Sequence, residues 1–291
     1  MLKKHKITEV LKNKIFILIA YFKYFFKISG NVNPPKNYKL IYEDNFDKLD
    51  KNIWRLGQPW GEFHKDYLNQ YYDTTGKLTY VKDNKLFLEI KNLPKHYIKK
   101  DLPDWMQYDN LPDEFTIPIC AGIITTIPNW QYGWFECQIK LPVGKNYWNA
   151  FWMGGAYKWP PEIDIFEGFS NDGEYNRIKF PKLKNVKIQP NLHYGNVNQN
   201  TKNDYGAYDV PVFDATKRFV QYVCHWEKDF IKIYYDGNLI FETKDKDILK
   251  WYNNETDKMY IIIGHGLRFF CDKVDESKMI VKKFKIYQKI I

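Results

Sequence analysis

Short strand-like runs separated by turn residues recur through most of the chain, and they restrict its fold more than any other feature. The runs include "NKLFLEIKN", "AGIITTIPN", "YGWFECQIKLP", "WNAFWMGG", "EIDIFEGF", "RFVQYVCHWE", "DKMYIIIGHG" and "IVKKFKIYQKI". Helical patterns occur only near the N-terminus and around "KDKDILKWY", so the chain lacks the crossover helices that a parallel sheet requires. We therefore predict an all-β fold in which antiparallel sheets pack face to face.

The clearest local prediction is a hairpin in "FIKIYYDGNLIFET". Asp236-Gly237 is the kind of dipeptide that forms a type I′ turn between two antiparallel strands. Alternation along the first of these strands places Ile231, Ile233 and Tyr235 on one face.

The sequence divides near its N-terminus. The stretch "NVNPPKN", from Asn31 to Asn37, contains two prolines and three asparagines and is typical of a linker. We predict an N-terminal segment over residues 1–36 and a single domain over residues 37–291, because all-β sandwiches often exceed about 200 residues undivided.

The positive charge of the chain is concentrated in the N-terminal segment. The chain has a formal net charge of +9, and residues 1–36 contain eight lysines and one glutamate, which leaves the domain nearly neutral. A neutral domain without a basic stripe argues against a nucleic-acid partner. The segment itself has the charge to meet anionic phospholipid.

Within that segment, Ile15 to Phe22 is a run of eight apolar residues, too short to span a bilayer. Two interpretations stay open, a signal-peptide core or a basic, aromatic helix that lies on a membrane or packs on the domain. We predict a secreted or membrane-associated protein, with membrane contact through residues 1–30 only.

Four cysteines lie far apart, without a CxxC pair or a histidine at metal spacing. We predict buried structural thiols, neither a metal nor a cofactor, and a monomer.

Three acidic residues lie close together in "WPPEIDIFEGF": Glu162, Asp164 and Glu167. In a regular strand Glu162 and Asp164 would share a face with Phe166, and Glu167 would point to the other side. One β-bulge between Asp164 and Glu167 would bring all three acids to the same side.

Crowded carboxyl groups raise the pKa of at least one of them, as a general acid at neutral pH requires. Two glutamates on one face can also approach the roughly 5 Å separation of a retaining glycosidase. Taken alone, the six residues leave open a cation site or solvated charges on an exposed strand.

Three tryptophans lie near the acids in the sequence: Trp148, Trp152 and Trp159. Flat aromatic rings beside paired carboxylates indicate a saccharide cleft, although each ring is also suited to a protein core.

Together these residues resemble glycoside hydrolase family 16. The resemblance runs from "YEDNFDKLDKNIWRL" through "YGWFECQIKLPVGKNYWNAFWM", "WPPEIDIFEGF", "LHYG" and "FVQYVCHWEKDFIKIYYDGNLIF" to "KKFKIYQK", nearly everything after residue 37. It implies a β-jelly-roll sandwich with a concave glycan cleft and a double-displacement mechanism that retains the anomeric configuration.

The resemblance also implies residue roles. Glu162 is expected to be the nucleophile, Glu167 the acid and base, and Asp164 the group that tunes the pair. His193 in "LHYG" is expected near the site, and Trp148, Trp152, Trp159 and His193 are the candidate substrate-binding residues.

The E-x-D-x-x-E spacing resembles the laminarinase, agarase and carrageenase branches, and an endo-β-1,3-glucanase is our first expectation. Ile123 stands where laminarinases often carry a sugar-binding arginine, and Lys282 stands where many relatives bind calcium through an aspartate. We therefore expect no calcium there. A galactan hydrolase, a cell-wall transglycosylase and a non-catalytic glycan-binding protein stay open as alternatives.

Overall fold

The computed structural model describes residues 2–63, 68–107, 110–142, 144–170, 186–196, 203–206, 209–254 and 258–290. In these ranges the chain is built mainly from strands, numbered β1 to β17 in chain order. Its two α-helices are α1 (Leu2–Phe25) and α2 (Lys246–Leu249). Both coincide with the two helical patterns of the sequence, so the all-β prediction is confirmed.

The strands form two sheets. The first follows the order β15 (Asn238–Thr243), β14 (Phe230–Tyr235), β13 (Val220–Glu227), β8 (Gly133–Lys140), β17 (Ser277–Lys289), β5 (Leu86–Ile98), β6 (Glu114–Ala121) and β3 (Tyr71–Tyr72), with β1 (Tyr38–Asp44) on β17 and β4 (Thr79–Val81) on β5. The second follows the order β12 (Asn203–Gly206), β11 (Val186–Tyr194), β10 (Glu162–Ser170), β9 (Tyr147–Gly155), β16 (Met259–Leu267), β7 (Ile123–Thr126) and β2 (Trp54–Leu56).

Almost all neighbouring strands are antiparallel, and the short pair of β3 with β6 is parallel. The main core lies between the two sheets, because inward-facing residues of both enter one cluster of buried side chains. Phe151 and Phe166 of the second sheet, for example, meet Phe284 and Tyr222 of the first. The sandwich thus leaves the opposite face of the second sheet available for a site.

The predicted hairpin is the pair β14 and β15. Asp236 and Gly237 both have positive φ angles, 51° and 76°, as the central residues of a type I′ turn require. Ile231, Ile233 and Tyr235 are all buried in the core, so the predicted alternation is confirmed.

Three of the four cysteines, Cys120, Cys137 and Cys224, are buried, whereas Cys271 is half-buried. All four are free thiols.

The N-terminal segment packs against the domain. Helix α1 lies on β15, and the linker that follows is pinned to β13 by paired hydrogen bonds between Val32 and the side chain of Gln221, 2.8 and 3.0 Å long. The division into residues 1–36 and 37–291 stays a prediction.

Candidate active site

Strand β10 carries the three acids on the face of the second sheet that points away from the core. Between Asp164 and Glu167 it gains one residue relative to β11, and an irregularity at the same place interrupts its pairing with β9. The consecutive residues Ile165 and Phe166 therefore both enter the core, where each is completely buried. Glu167 consequently returns to the side of Glu162 and Asp164, and the predicted bulge is confirmed.

Residues paired across neighbouring strands share a face, so the register defines the neighbours of each acid. Glu162 lies between Gly154 on β9 and His193 on β11. Glu167 lies between Ala150 on β9 and Gln189 on β11. The residues paired on β9 are small at both glutamates, which leaves room beside each carboxyl group.

Glu162 lies in a dense polar cluster. The indole Nε1–H of Trp159 donates to its Oε2 over 2.8 Å. His193 Nε2 is 3.2 Å from an oxygen of Glu162 and 3.2 Å from an oxygen of Asp164. Burial, and then the negative charge of Asp164, raise the pKa of Glu162 well above its usual value, against the opposing effects of His193 and of the Trp159 N–H.

Glu167 has a different environment. The indole Nε1–H of Trp148 donates to its Oε1 over 2.9 Å. Burial raises the pKa of Glu167, while His193, Trp148, Gln189 and the positive charge of Arg268 act in the opposite direction. The residue as a whole is 8% exposed.

His193 connects the cluster to the edge of the sheet. Its Nδ1 is 2.5 Å from Oδ1 of Asp204 on β12, so both ring nitrogens face carboxylate oxygens. The buried Tyr252 hydroxyl shares its one proton between the backbone carbonyls of Glu162 and His193, at 3.1 and 2.8 Å. These contacts hold β10, β11 and β12 together at the site.

Glu162, Asp164 and His193 are also a donor set that a metal ion can use, because their ligand atoms lie within 4.8 Å of one another. Two carboxylates and one imidazole suit several divalent ions. His193 Nε2, however, already lies 3.2 Å from an oxygen of each carboxylate, so the imidazole occupies the position between them that a metal ion would need.

The three predicted tryptophans differ in position. Trp159 is 38% exposed, whereas Trp148 and Trp152 are partly buried. Trp152 is paired with Asp164 and packs edge-on against Tyr260, with ring centroids 6.2 Å apart. The structure therefore brings all three rings and His193 to the acids, and their contacts with a sugar stay a prediction.

Toward β7, the row of residues that contains Glu167 ends in a buried apolar cluster. Gly264 on β16 continues the row of Glu167 and Ala150, and Ile123 on β7 is paired with it. A Cβ atom at Gly264 would lie 2.8 Å from Cδ1 of Ile123, so the isoleucine side chain lies directly over the glycine. Ile123 is itself 2% exposed and packs in a buried apolar cluster with Tyr147 and Ile262, so it fills this end of the row and presents no surface to a ligand.

Several site residues escaped the sequence analysis: Gln189, Asp204, Tyr252 and Arg268. Gln189 could have been identified from the sequence, because it precedes His193 by four residues and alternation along a strand places both side chains on one face. The other three lie on separate elements, and no local pattern connects them to the acids.

Comparison with known proteins agrees with this geometry. The sequence model described as "Glycosyl hydrolases family 16" matches residues 69–266. A "Glucan endo-1,3-beta-glucosidase" of Cryptopygus antarcticus is 27% identical over 237 residues, which are 77% of this chain and 78% of that protein. A "Beta-1,3-glucan-binding protein" of Penaeus monodon is 27% identical over 241 residues, 69% of this chain and 61% of that protein.

Solved structures share the fold. The catalytic domain of an endo-1,3-beta-glucanase (laminarinase) from Thermotoga petrophila superimposes with a TM-score of 0.62 at 19% identity, covering 88% of this chain and all of that domain. This agreement confirms the predicted jelly-roll sandwich. Since the family model covers more than half of the sequence, the chain belongs to glycosyl hydrolases family 16.

Proposed function

We propose that the protein is an endo-acting hydrolase of β-1,3-glucan that retains the anomeric configuration. The observation that carries the proposal is the bulge in β10, which turns Glu162, Asp164 and Glu167 toward one face and gives each glutamate its own indole N–H donor. Two carboxyl groups on one face are what double displacement requires.

In the first step, the ionised carboxylate of Glu162 attacks the anomeric carbon and forms a glycosyl ester. The bond to the leaving sugar breaks as Glu167 gives its proton to the departing oxygen. In the second step, Glu167 removes a proton from water, the resulting hydroxide attacks the same carbon, and Glu162 is released as a carboxylate. Two inversions give net retention.

The hydrogen-bond partners of Glu162, rather than the pKa directions, support these roles, because burial raises the pKa of both glutamates and that of Glu162 is raised further. Trp159 N–H and His193 stabilise the ionised form of Glu162, which the nucleophile needs. Asp164 lies beside it, and the imidazole of His193 is 3.2 Å from both carboxylates, so these groups hold the nucleophile in place. Burial of Glu167 favours its protonated form, which the acid needs.

The glucan preference rests on the relative from Cryptopygus antarcticus and on the tryptophans near the acids. Trp159 is the most exposed of the three rings, and we assign it to stack on a sugar face.

A non-catalytic role in glucan binding is the second candidate, and the similarity to the Penaeus monodon protein favours it. Such a protein would use the tryptophans and would not need the acids.

The test is a panel of laminarin, mixed-linkage glucan, agarose and carrageenan, with product lengths and the anomeric configuration followed by NMR. We expect laminarin to yield oligosaccharides of several lengths with initial β-anomers. Glu162→Gln should abolish turnover and Glu167→Gln should reduce it at least about a hundredfold, while laminarin still binds to both. Glu114→Gln, at an exposed position, should behave as wild type. Activity should survive EDTA, since no step uses a metal ion.

Binding of laminarin without cleavage by the wild type would favour the second candidate. Cleavage of agarose or carrageenan in place of laminarin would overturn the glucan assignment and leave the roles of the two glutamates intact.

A further inference from the structure

Helix α1 is fixed to the domain by one face only. Glu9 accepts hydrogen bonds from the backbone N–H of Lys244 and the hydroxyl of Thr243, over 2.8 and 3.0 Å. The side chain of Asn13 exchanges two hydrogen bonds with the backbone of Glu242, over 3.3 and 3.0 Å. Ala20, on the same face, is buried in the core. The helix is therefore held along the edge strand β15.

The opposite face of α1 exposes a continuous apolar stripe. It consists of Ile7, Leu11, Ile15, Leu18 and Phe22, which are 59%, 54%, 56%, 69% and 60% exposed. They recur at intervals of three and four residues, so they form one line along the helix. Large apolar side chains this exposed and contiguous mark a surface that contacts a partner.

Lysines flank the stripe on both sides. At about 100° per residue, Lys12 lies about 100° from the centre line of the stripe on one side and Lys14 lies about 60° from it on the other. Both lysines are exposed. Glu9 is the sole acidic residue of α1, and its carboxylate is buried against β15. The exposed side of the helix thus combines hydrocarbon with positive charge and offers no negative charge.

The charge pattern identifies the partner. A second copy of the chain would bring the lysines of two stripes against each other without an acid to pair with them. The headgroups of an anionic bilayer have the opposite charge, and the acyl region accepts the apolar side chains. Among the described residues, no helix combines the length and hydropathy needed to cross a membrane.

We propose that α1 docks the protein onto the surface of an anionic lipid bilayer, lying in the interface with the stripe toward the acyl chains. The catalytic face belongs to the second sheet, whereas α1 lies on β15 at the edge of the first sheet. Docking by the stripe therefore leaves the acids accessible to a glycan.

The test is flotation of the full-length protein with vesicles of phosphatidylcholine alone or of phosphatidylcholine mixed equally with phosphatidylglycerol. We expect binding to the mixed vesicles only, and weakening by salt because the screening length shortens. Leu11→Glu with Leu18→Glu should reduce the partition coefficient roughly tenfold or more, since charges replace two side chains that enter the acyl region. Lys12→Glu with Lys14→Glu should reduce it about fivefold for each lysine.

Matched controls carry the same changes elsewhere. Ile127→Glu replaces an exposed apolar side chain away from α1, and Lys48→Glu with Lys51→Glu reverses two exposed lysines of the domain. Both controls should bind as wild type does. Thermal melting should show that every variant folds, because all the substituted side chains are exposed.

Equal binding to phosphatidylcholine vesicles, or unchanged binding of both α1 variants, would overturn the proposal. A third result would also overturn it: the wild type forms a dimer in sedimentation velocity and does not bind the vesicles, and Leu18→Glu dissociates that dimer. The stripe would then be the interface between two copies of the chain. Each of these results is independent of glycan hydrolysis.

Discussion

Glu162 and Glu167 are the same residue type, five positions apart on one strand, and each accepts an indole N–H. Their surroundings nevertheless differ in charge. Burial raises the pKa of both glutamates. The anion Asp164 raises the pKa of Glu162 further, whereas the cation Arg268 adds to the effects of His193, Trp148 and Gln189 that lower the pKa of Glu167. The comparison teaches that neighbouring charges, one on β10 itself and one just after β16, give two identical groups different surroundings.

Removing each carboxylate in turn should give the largest difference between the two glutamates. Glu162→Gln should lose at least about 10⁴-fold in turnover of glucan and of an aryl β-glycoside, because both need the nucleophile. Glu167→Gln should lose about 10²- to 10⁴-fold on glucan. With the aryl glycoside it should still release a burst of phenol equal to the enzyme concentration, since this leaving group departs without a proton.

Stopped-flow measurement of the phenol checks the assignment. A burst from Glu162→Gln together with none from Glu167→Gln would mean that the two roles are exchanged.

A finer test uses the two tryptophans. Each indole N–H stabilises the ionised form of its glutamate, so replacing the ring with phenylalanine raises the pKa of that glutamate. Because Glu162 must be ionised, Trp159→Phe should move the acidic limb of the kcat/KM profile to higher pH. Because Glu167 must be protonated, Trp148→Phe should move the basic limb to higher pH, and each variant should lose about tenfold in rate.

The pH dependence of kcat/KM for both variants provides the measurement, with Trp105→Phe, a partly exposed ring in another part of the chain, as the control. If the same limb of the kcat/KM profile moved in both variants, the two tryptophans would not act on different glutamates.

The smallest expected effect belongs to Arg268. Its positive charge lowers the pKa of Glu167, so Arg268→Gln should shift the basic limb to higher pH, in the same direction as Trp148→Phe but less far. The side chain is half-exposed, and added salt should reduce the difference from wild type. We expect a rate change within about threefold at the optimum. Lys48→Gln serves as the control, and a shift of the acidic limb in Arg268→Gln would refute the assignment to Glu167.

Much of this arrangement was predictable from the sequence, because the information was local. The bulge followed from three acids interleaved with apolar residues, and the hairpin followed from Asp236-Gly237 between alternating strands. The charges of Asp204 beside His193 and of Arg268 near Glu167 were not predictable, because β12 and the residue after β16 meet the site only through the pairing of separate strands. A one-residue change of register would remove either contact.

The N-terminal segment shows the same limit. Its periodicity left open whether the helix packs on the domain, lies on a membrane or is a signal peptide. The packing depends on Glu9 and Asn13 meeting the edge of β15, a partner more than 200 residues away. The sequence places the apolar stripe on one side of the helix, but only the contacts with β15 show that this side is exposed.

Ile123 and Gly264 depend on each other in a way that matters for redesign. Since the isoleucine occupies the space over the glycine, any larger residue at position 264 collides with it, and shortening position 123 alone opens a gap. The residue chosen at one of these positions therefore restricts the choice at the other. A design that places a larger side chain at position 264 has to shorten position 123 in the same variant.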